Sequence, residues 1–189
     1  VPQELHEALG GEHAQTFADR VLAAEASGVL EGFGELHGGV EALLGRLHEI
    51  SSDTTVVLEI SHTQLQYTDR SPAIAAITNI TPNHLDQFSW DAYVGLKRNI
   101  LSYQHRSDVA VLNADDHTSL ALMASVKGSL VRTSLTAEVP GPGAWLDGDE
   151  VVVRSDNRPA AVLATSEIPL RGRHNLANVV MACAIGSQA

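Results

Sequence analysis

Residues 54–61 are apolar almost without interruption, Thr-Thr-Val-Val-Leu-Glu-Ile-Ser. A short, β-branched apolar run of this kind predicts a strand covered on both faces. Residues 73–80 repeat the pattern and stop at Thr81-Pro82, and residues 108–113 repeat it again around Val-Ala-Val-Leu. Residues 129–134 predict a fourth strand. Between them the period changes, and residues 90–103 and 117–126 carry their apolar positions at helical spacing. Strands alternating with helices predict an α/β fold, a mainly parallel sheet flanked by helices.

Upstream, residues 12–27 predict a helix ending at Gly28. Residues 40–50 predict another, with Leu43, Leu44, Leu47 and Ile50 on one face. Residues 1–50 are therefore expected to form a helical amino-terminal segment, and residues 51–189 the sheet domain. After Pro140 the texture shifts. Ala144-Trp145-Leu146, the turn at Asp147-Gly148 and Val151-Val152-Val153-Arg154 predict a hairpin, and residues 159–164 a further strand. This is a small antiparallel β unit near the carboxyl-terminal end. Residues 170–174 open a last helix over 175–185, which stops without a cap and predicts a piece of something longer.

Composition narrows the class of protein. A hydrophobic content of 44% suits a globular core rather than a disordered chain. The net charge of -11 repels phosphate backbones and anionic membranes, so neither nucleic acid nor a membrane is an expected partner. No apolar run reaches spanning length and the acidic start is no signal peptide, which predicts a cytoplasmic protein. The single cysteine, Cys183, allows neither an internal disulfide nor a thiolate zinc site by itself.

Two lysines, Lys97 and Lys127, are the only ones in the chain, so each invites a question. Glu59 ends the first predicted strand and His84 follows the second. Open α/β sheets bind ligands at the carboxyl ends of their strands. If the two strands are neighbours, about 5 Å apart, the two side chains can share one metal ion. A carboxylate with substrate phosphates suits Mg²⁺. A glutamate in that place serves equally to cap a helix or pair with an arginine, and an isolated histidine is commonly structural. Ser61 and Gln64, on the loop after Glu59, serve as turn residues just as well. Lys97 on its predicted helix is solvated in the ordinary case. Facing the crevice instead, it would lose its proton more readily, and a neutral amine can take up carbon dioxide as a carbamate.

Five segments together resemble the Mur ligase family. Leu58-Glu59-Ile60-Ser61-His62-Thr63-Gln64-Leu65 is similar to its Leu-Glu-Leu-Ser-Ser-Phe-Gln-Leu, a pattern of the D-glutamate-adding branch. Asn79-Ile80-Thr81-Pro82-Asn83-His84-Leu85-Asp86 resembles Asn-(Ile/Val)-Thr-x-Asp-His-(Leu/Met)-Asp. Tyr93-x-x-x-Lys97, Asn113-Ala114-Asp115-Asp116 and Leu170-x-Gly172-x-His174-Asn175-x-x-Asn178 complete the set, in family order. The resemblance covers the last two thirds of the chain and implies the nucleotide-binding central domain of such a ligase, related to the phosphate-loop NTPases. It implies that Glu59 and His84 hold Mg²⁺, with carbamylated Lys97 in support, and that Asn175 and Asn178 meet the adenine of ATP. Lys97 and His84 would be its catalytic residues. The implied reaction joins D-glutamate to UDP-N-acetylmuramoyl-L-alanine through an acyl phosphate. Ser61, Gln64 and Thr16 would add polar contacts to the nucleotide.

The chain departs from the family in one essential place. No Gly-Lys-Ser/Thr occurs in it. The nearest candidate loop, residues 10–16, is Gly-Gly-Glu-His-Ala-Gln-Thr, with Ala14 in the lysine position and Thr16 as the metal-binding hydroxyl. Gly38-Gly39-Val40 corresponds to a Gly-Asn-Ile-Gly segment without its asparagine. Binding of ATP and Mg²⁺ is then expected to be weakened or lost. Nothing resembles the UDP-binding or amino-acid-binding domains, so most contacts to both substrates would come from elsewhere. Two other readings follow: a non-catalytic scaffold of Mur ligase ancestry, and a ligase of the folylpolyglutamate synthase kind. The Leu-Glu-Ile-Ser-x-x-Gln-Leu segment favours the muramoyl branch over the folate one.

Overall fold

The computed structural model describes residues 21–25, 55–156 and 158–189. The helix expected over 40–50, the candidate loop at 10–16 with Thr16, and Gly38-Gly39-Val40 lie outside them. The strands run β1 (Val21–Glu25), β2 (Val56–Leu58), β3 (Ile74–Ile77), β4 (Val109–Asn113), β5 (Ser129–Ser134), β6 (Gly143–Asp147), β7 (Glu150–Arg154) and β8 (Ala160–Ala164). The helices are α1 (His62–Leu65), α2 (Trp90–Ser102), α3 (His117–Leu122), continued by a 3-10 turn, Met123–Ser125, and α4 (Arg173–Gly186).

The eight strands among the described residues form one sheet in the order β2-β1-β3-β4-β5-β6-β7-β8. Pairing is parallel from β2 through β6 and antiparallel across β6, β7 and β8. The antiparallel unit thus extends the parallel sheet. Its hairpin turns on Gly148, which takes φ 58, a conformation that a two-residue loop needs and glycine adopts without strain.

Two expectations fail at β1. Val21–Glu25 is a strand, although residues 12–27 suggest a helix. Its Leu-Ala-Ala core has helical propensity, and ladder pairing on both sides overrides it. Because β1 stands between β2 and β3, those two strands are not neighbours. Their ends are two strand spacings apart, about 10 Å, rather than one.

The alternation along the strands divides the core. Ala75, Ile77, Ala110 and Leu112 pack on one face with Leu65 of α1, Tyr93, Ile100 and Leu101 of α2, and Leu122 of α3. Ile74, Ala76, Val111 and Val131 pack on the other with Val180, Met181 and Ala184 of α4. The continuous apolar strands follow from this two-sided cover.

Gly128 enters β5 where any side chain would collide. A Cβ there overlaps the carbonyl oxygen of Asp108, whose bond from the Ser129 N–H at 2.8 Å sets the β4–β5 register. Gly128→Ala should cost about 2 kcal/mol or more, as overpacking against backbone does. An unchanged urea midpoint would contradict this.

Candidate functional site

The loops that leave the carboxyl ends of β2, β3, β4 and β5 form one rim. In the β4 loop, each polar side chain of Asn113-Ala114-Asp115-Asp116 ties down a neighbour. Asn113 Nδ2 donates to the Thr78 carbonyl, just past β3, at 2.9 Å. Asp116 caps α3, accepting from the Ser119 N–H at 2.8 Å and its hydroxyl at 2.6 Å, and also meets the Ile80 N–H at 3.3 Å. Asp115 accepts from the Ser134 hydroxyl at 2.7 Å, the Leu135 N–H at 2.6 Å and the Thr136 hydroxyl at 2.7 Å, at and just past the end of β5. Burial pushes the Asp115 carboxyl up, but these donors and the charge of Arg173 outweigh it and leave the pKa below its ordinary value.

Past β3 the chain turns sharply at His84, the only non-glycine among the described residues with positive φ, at 54. Its carbonyl accepts from the N–H groups of Gln87 and Phe88, each at 3.0 Å, and its own N–H donates to Asn83 Oδ1 at 2.9 Å. The turn holds a conformation that non-glycine residues avoid, a recurrent property of functional sites. It aims the imidazole at α1 and α2.

Helix α2 starts at Ser89, whose hydroxyl accepts from the Ala92 N–H at 3.3 Å, with Asp91 in the first turn where the helix dipole favours an acid. Its buried face carries Tyr93, Lys97, Ile100 and Leu101. That is helical spacing, so Lys97 occupies an otherwise apolar stripe. It is 8% exposed, and its Nζ lies 5.2 Å from the centre of the Tyr93 ring. Burial lowers its pKa to about 8 and raises that of Tyr93.

His62, the first residue of α1, completes the cluster. Its ring centroid is 4.3 Å from that of His84, 5.6 Å from Tyr93 and 5.7 Å from Phe88. His84 in turn stands 6.2 Å from Tyr93. Burial, and then the neighbouring His84, hold the His62 pKa below the ordinary histidine value.

The structure therefore brings His84 and Lys97 to the same tyrosine ring. Glu59 lies exposed, one residue past β2 and three before His62. Ser61 and Gln64 are exposed and satisfy each other as the capping box of α1: Ser61 N–H donates to Gln64 Oε1 at 2.8 Å, and Gln64 N–H to Ser61 Oγ at 3.3 Å. Asn175 Nδ2 donates to the Arg171 carbonyl at 2.8 Å. Asn178 is buried, and its Nδ2 has no hydrogen-bond partner among the described residues. Beside it in sequence, Ala177 and Val180 line a small recess with Asn113, Thr133, Ser134 and Leu135. Among the described residues, no three His, Cys, Asp or Glu side chains gather as a metal group. His62 escapes a sequence reading because it occupies a serine position in the family pattern. The spacing of Tyr93 and Lys97, one helical turn apart, is the signal that pairs them.

A parallel α/β domain with this rim is the architecture of the Mur ligases. The description "Mur ligase middle domain" matches residues 37–186, and the chain belongs to that family. It is 40% identical over 144 residues to the UDP-N-acetylmuramoylalanine--D-glutamate ligase of Symbiobacterium thermophilum, across 75% of this chain and 32% of that protein. Its identity to the ligase of the same name from Clostridium botulinum is 36% over 141 residues, across 74% of this chain and 30% of that protein. The chain thus spans about a third of these relatives. The fold is also that of MurF from Acinetobacter baumannii, with a TM-score of 0.65 at 19% identity over 95% of this chain and 45% of that one. A murein peptide ligase from Psychrobacter arcticus gives a TM-score of 0.60 at 16% identity, over 91% of this chain and 44% of that one.

Proposed function

We propose that this chain supplies the nucleotide-handling part of an ATP-dependent ligase that adds D-glutamate to UDP-N-acetylmuramoyl-L-alanine in the cytoplasm. The observation that carries the reading is the convergence of His84 and buried Lys97 on Tyr93, at the rim where parallel sheets take ligands. No helix among the described residues is long and apolar enough to cross a membrane.

The residues fit the implied cofactors in two respects. The buried, unpartnered Nδ2 of Asn178 suits an acceptor on an adenine edge, with Asn175 one turn earlier on α4. Lys97, with its pKa near 8, holds a neutral amine fraction near neutral pH that can attack carbon dioxide, lose a proton and become a carbamate. That anion on a long stem, with the Glu59 carboxylate and the His84 imidazole, makes a donor set for Mg²⁺. Bound there, ATP would supply the phosphoryl group that activates the substrate carboxylate toward the amine of D-glutamate, and magnesium would supply charge neutralisation. The protein's part would be positioning: the His84 turn and the packed face of α2 hold the His84 and Lys97 side chains in place.

The missing Gly-Lys-Ser/Thr favours a second reading, a scaffold of the same ancestry without turnover. Calorimetry separates them. Magnesium-dependent ATP binding with Kd above about 0.1 mM, abolished by His84→Ala and weakened by Asn178→Leu, is expected of the ligase domain. Binding that ignores magnesium and both substitutions, or no binding at millimolar ATP, would favour the scaffold.

A further inference from the structure

With a second imidazole beside His84, the rim offers more ring nitrogen than the magnesium implied by the family calls for. Magnesium prefers an octahedron of oxygens and keeps several waters. Here His62 brings a second ring nitrogen donor to His84, in a position where the family pattern carries serine. Neither imidazole makes a hydrogen bond among the described residues, and their contacts are ring against ring.

We propose that His62 and His84 together bind a borderline divalent transition-metal cation, of the Co²⁺, Ni²⁺ or Zn²⁺ class, at the rim. The proposal rests on the same rim as the ligase reading and adds a cation preference to it. Ring nitrogens bind such ions at about 2.1 Å, which sets the centroids of two rings on one ion about 5 Å apart. At 4.3 Å, with their planes tilted by 33°, the two rings are near enough to share an ion once both side chains rotate to turn a ring nitrogen toward it. The two rings approach from separate loops, one after β2 and one after β3, so the ion would also bridge the gap that β1 opens between those strands. Imidazole donors raise affinity along the series from Mn²⁺ to Cu²⁺ and Zn²⁺ and do little for magnesium. Water, or an oxygen of Glu59 brought in by rotation, would complete the coordination.

The test uses the whole chain without nucleotide. Cobalt titrated into the protein should develop visible d–d bands, saturating at one equivalent. His62→Ser, which installs the family residue, should raise the cobalt Kd by about tenfold or more and leave magnesium binding unchanged. Long-range nitrogen-15 NMR of the histidine rings, with zinc added to the unsubstituted chain, needs no variant. Shifts should concentrate at His62 and His84. Equal cobalt affinity in His62→Ser, or zinc shifts confined to other histidines, would overturn the proposal. Magnesium–ATP calorimetry on the same sample keeps the two ideas apart. Cobalt binding without ATP binding sinks the ligase reading alone, and ATP binding with no cobalt site sinks the imidazole pair alone.

Discussion

Lys97→Met is expected to stabilise the fold by roughly 1–2 kcal/mol at pH 7 while removing any cation response. Burial moves the Lys97 pKa from 10.5 to about 8. Such a displacement corresponds to about 3 kcal/mol of penalty on the charged form, which solvent screening of the ammonium reduces to roughly half. Below pH 8 the folded chain bears that penalty in full. Between about 8 and 10.5 the unfolded chain holds more protons than the folded one, so stability rises with pH across that window. Above pH 10 the raised pKa of Tyr93 acts oppositely: the folded phenol keeps its proton longer, and stability falls. Methionine fills the same space without charge. Urea unfolding from pH 7 to 10 should therefore show a rise for the native chain that the variant lacks, since the raised pKa of the half-buried Cys183 thiol lowers stability alike in both. Parallel profiles would show that Lys97 is solvated. A lysine retained at such a cost in the only charged position of a buried helix face is better explained by chemistry than by packing.

Asp115→Ala should destabilise by about 2 kcal/mol, because three donors on the β5 loop lose one acceptor, discounted for the exposure of the carboxylate. Asp115→Asn should fall between, since an amide offers one acceptor oxygen in place of two. The pH dependence has a definite sign. The folded pKa lies below the unfolded one, so the contribution is complete above about pH 4 and is lost as pH falls through the folded value. Acid unfolding followed by circular dichroism should begin at higher pH in neither variant than its neutral-pH stability requires. The native chain should lose stability more steeply than either below pH 4. Equal slopes would contradict the role of Asp115.

Much of the sheet was legible because two-sided burial leaves continuous apolar runs. Residues 129–134 predict β5 to the residue, and Asp147-Gly148 places the β6–β7 turn. The α2 face was legible as period, though not that Lys97 faces inward, because a lysine on a helix is compatible with water or core. Strand order was not legible. β1 enters between β2 and β3 through backbone pairing, which leaves no local mark in Val-Leu-Ala-Ala-Glu. For that reason the adjacent strand ends expected for Glu59 and His84 are two strands apart, and the residue of the β2 loop that meets His84 is His62. The Asn113-Ala114-Asp115-Asp116 segment was recognisable as a family motif, but its work of lacing three loops together emerges only in three dimensions.

Carbon-13 NMR of the chain equilibrated with labelled bicarbonate examines the rim most directly. One carbamate resonance, absent from Lys97→Met and broadened by substoichiometric Mn²⁺, is the expected spectrum. A native chain with no carbamate signal, or with one that Mn²⁺ leaves sharp, would separate Lys97 from any cation at Glu59 and His84.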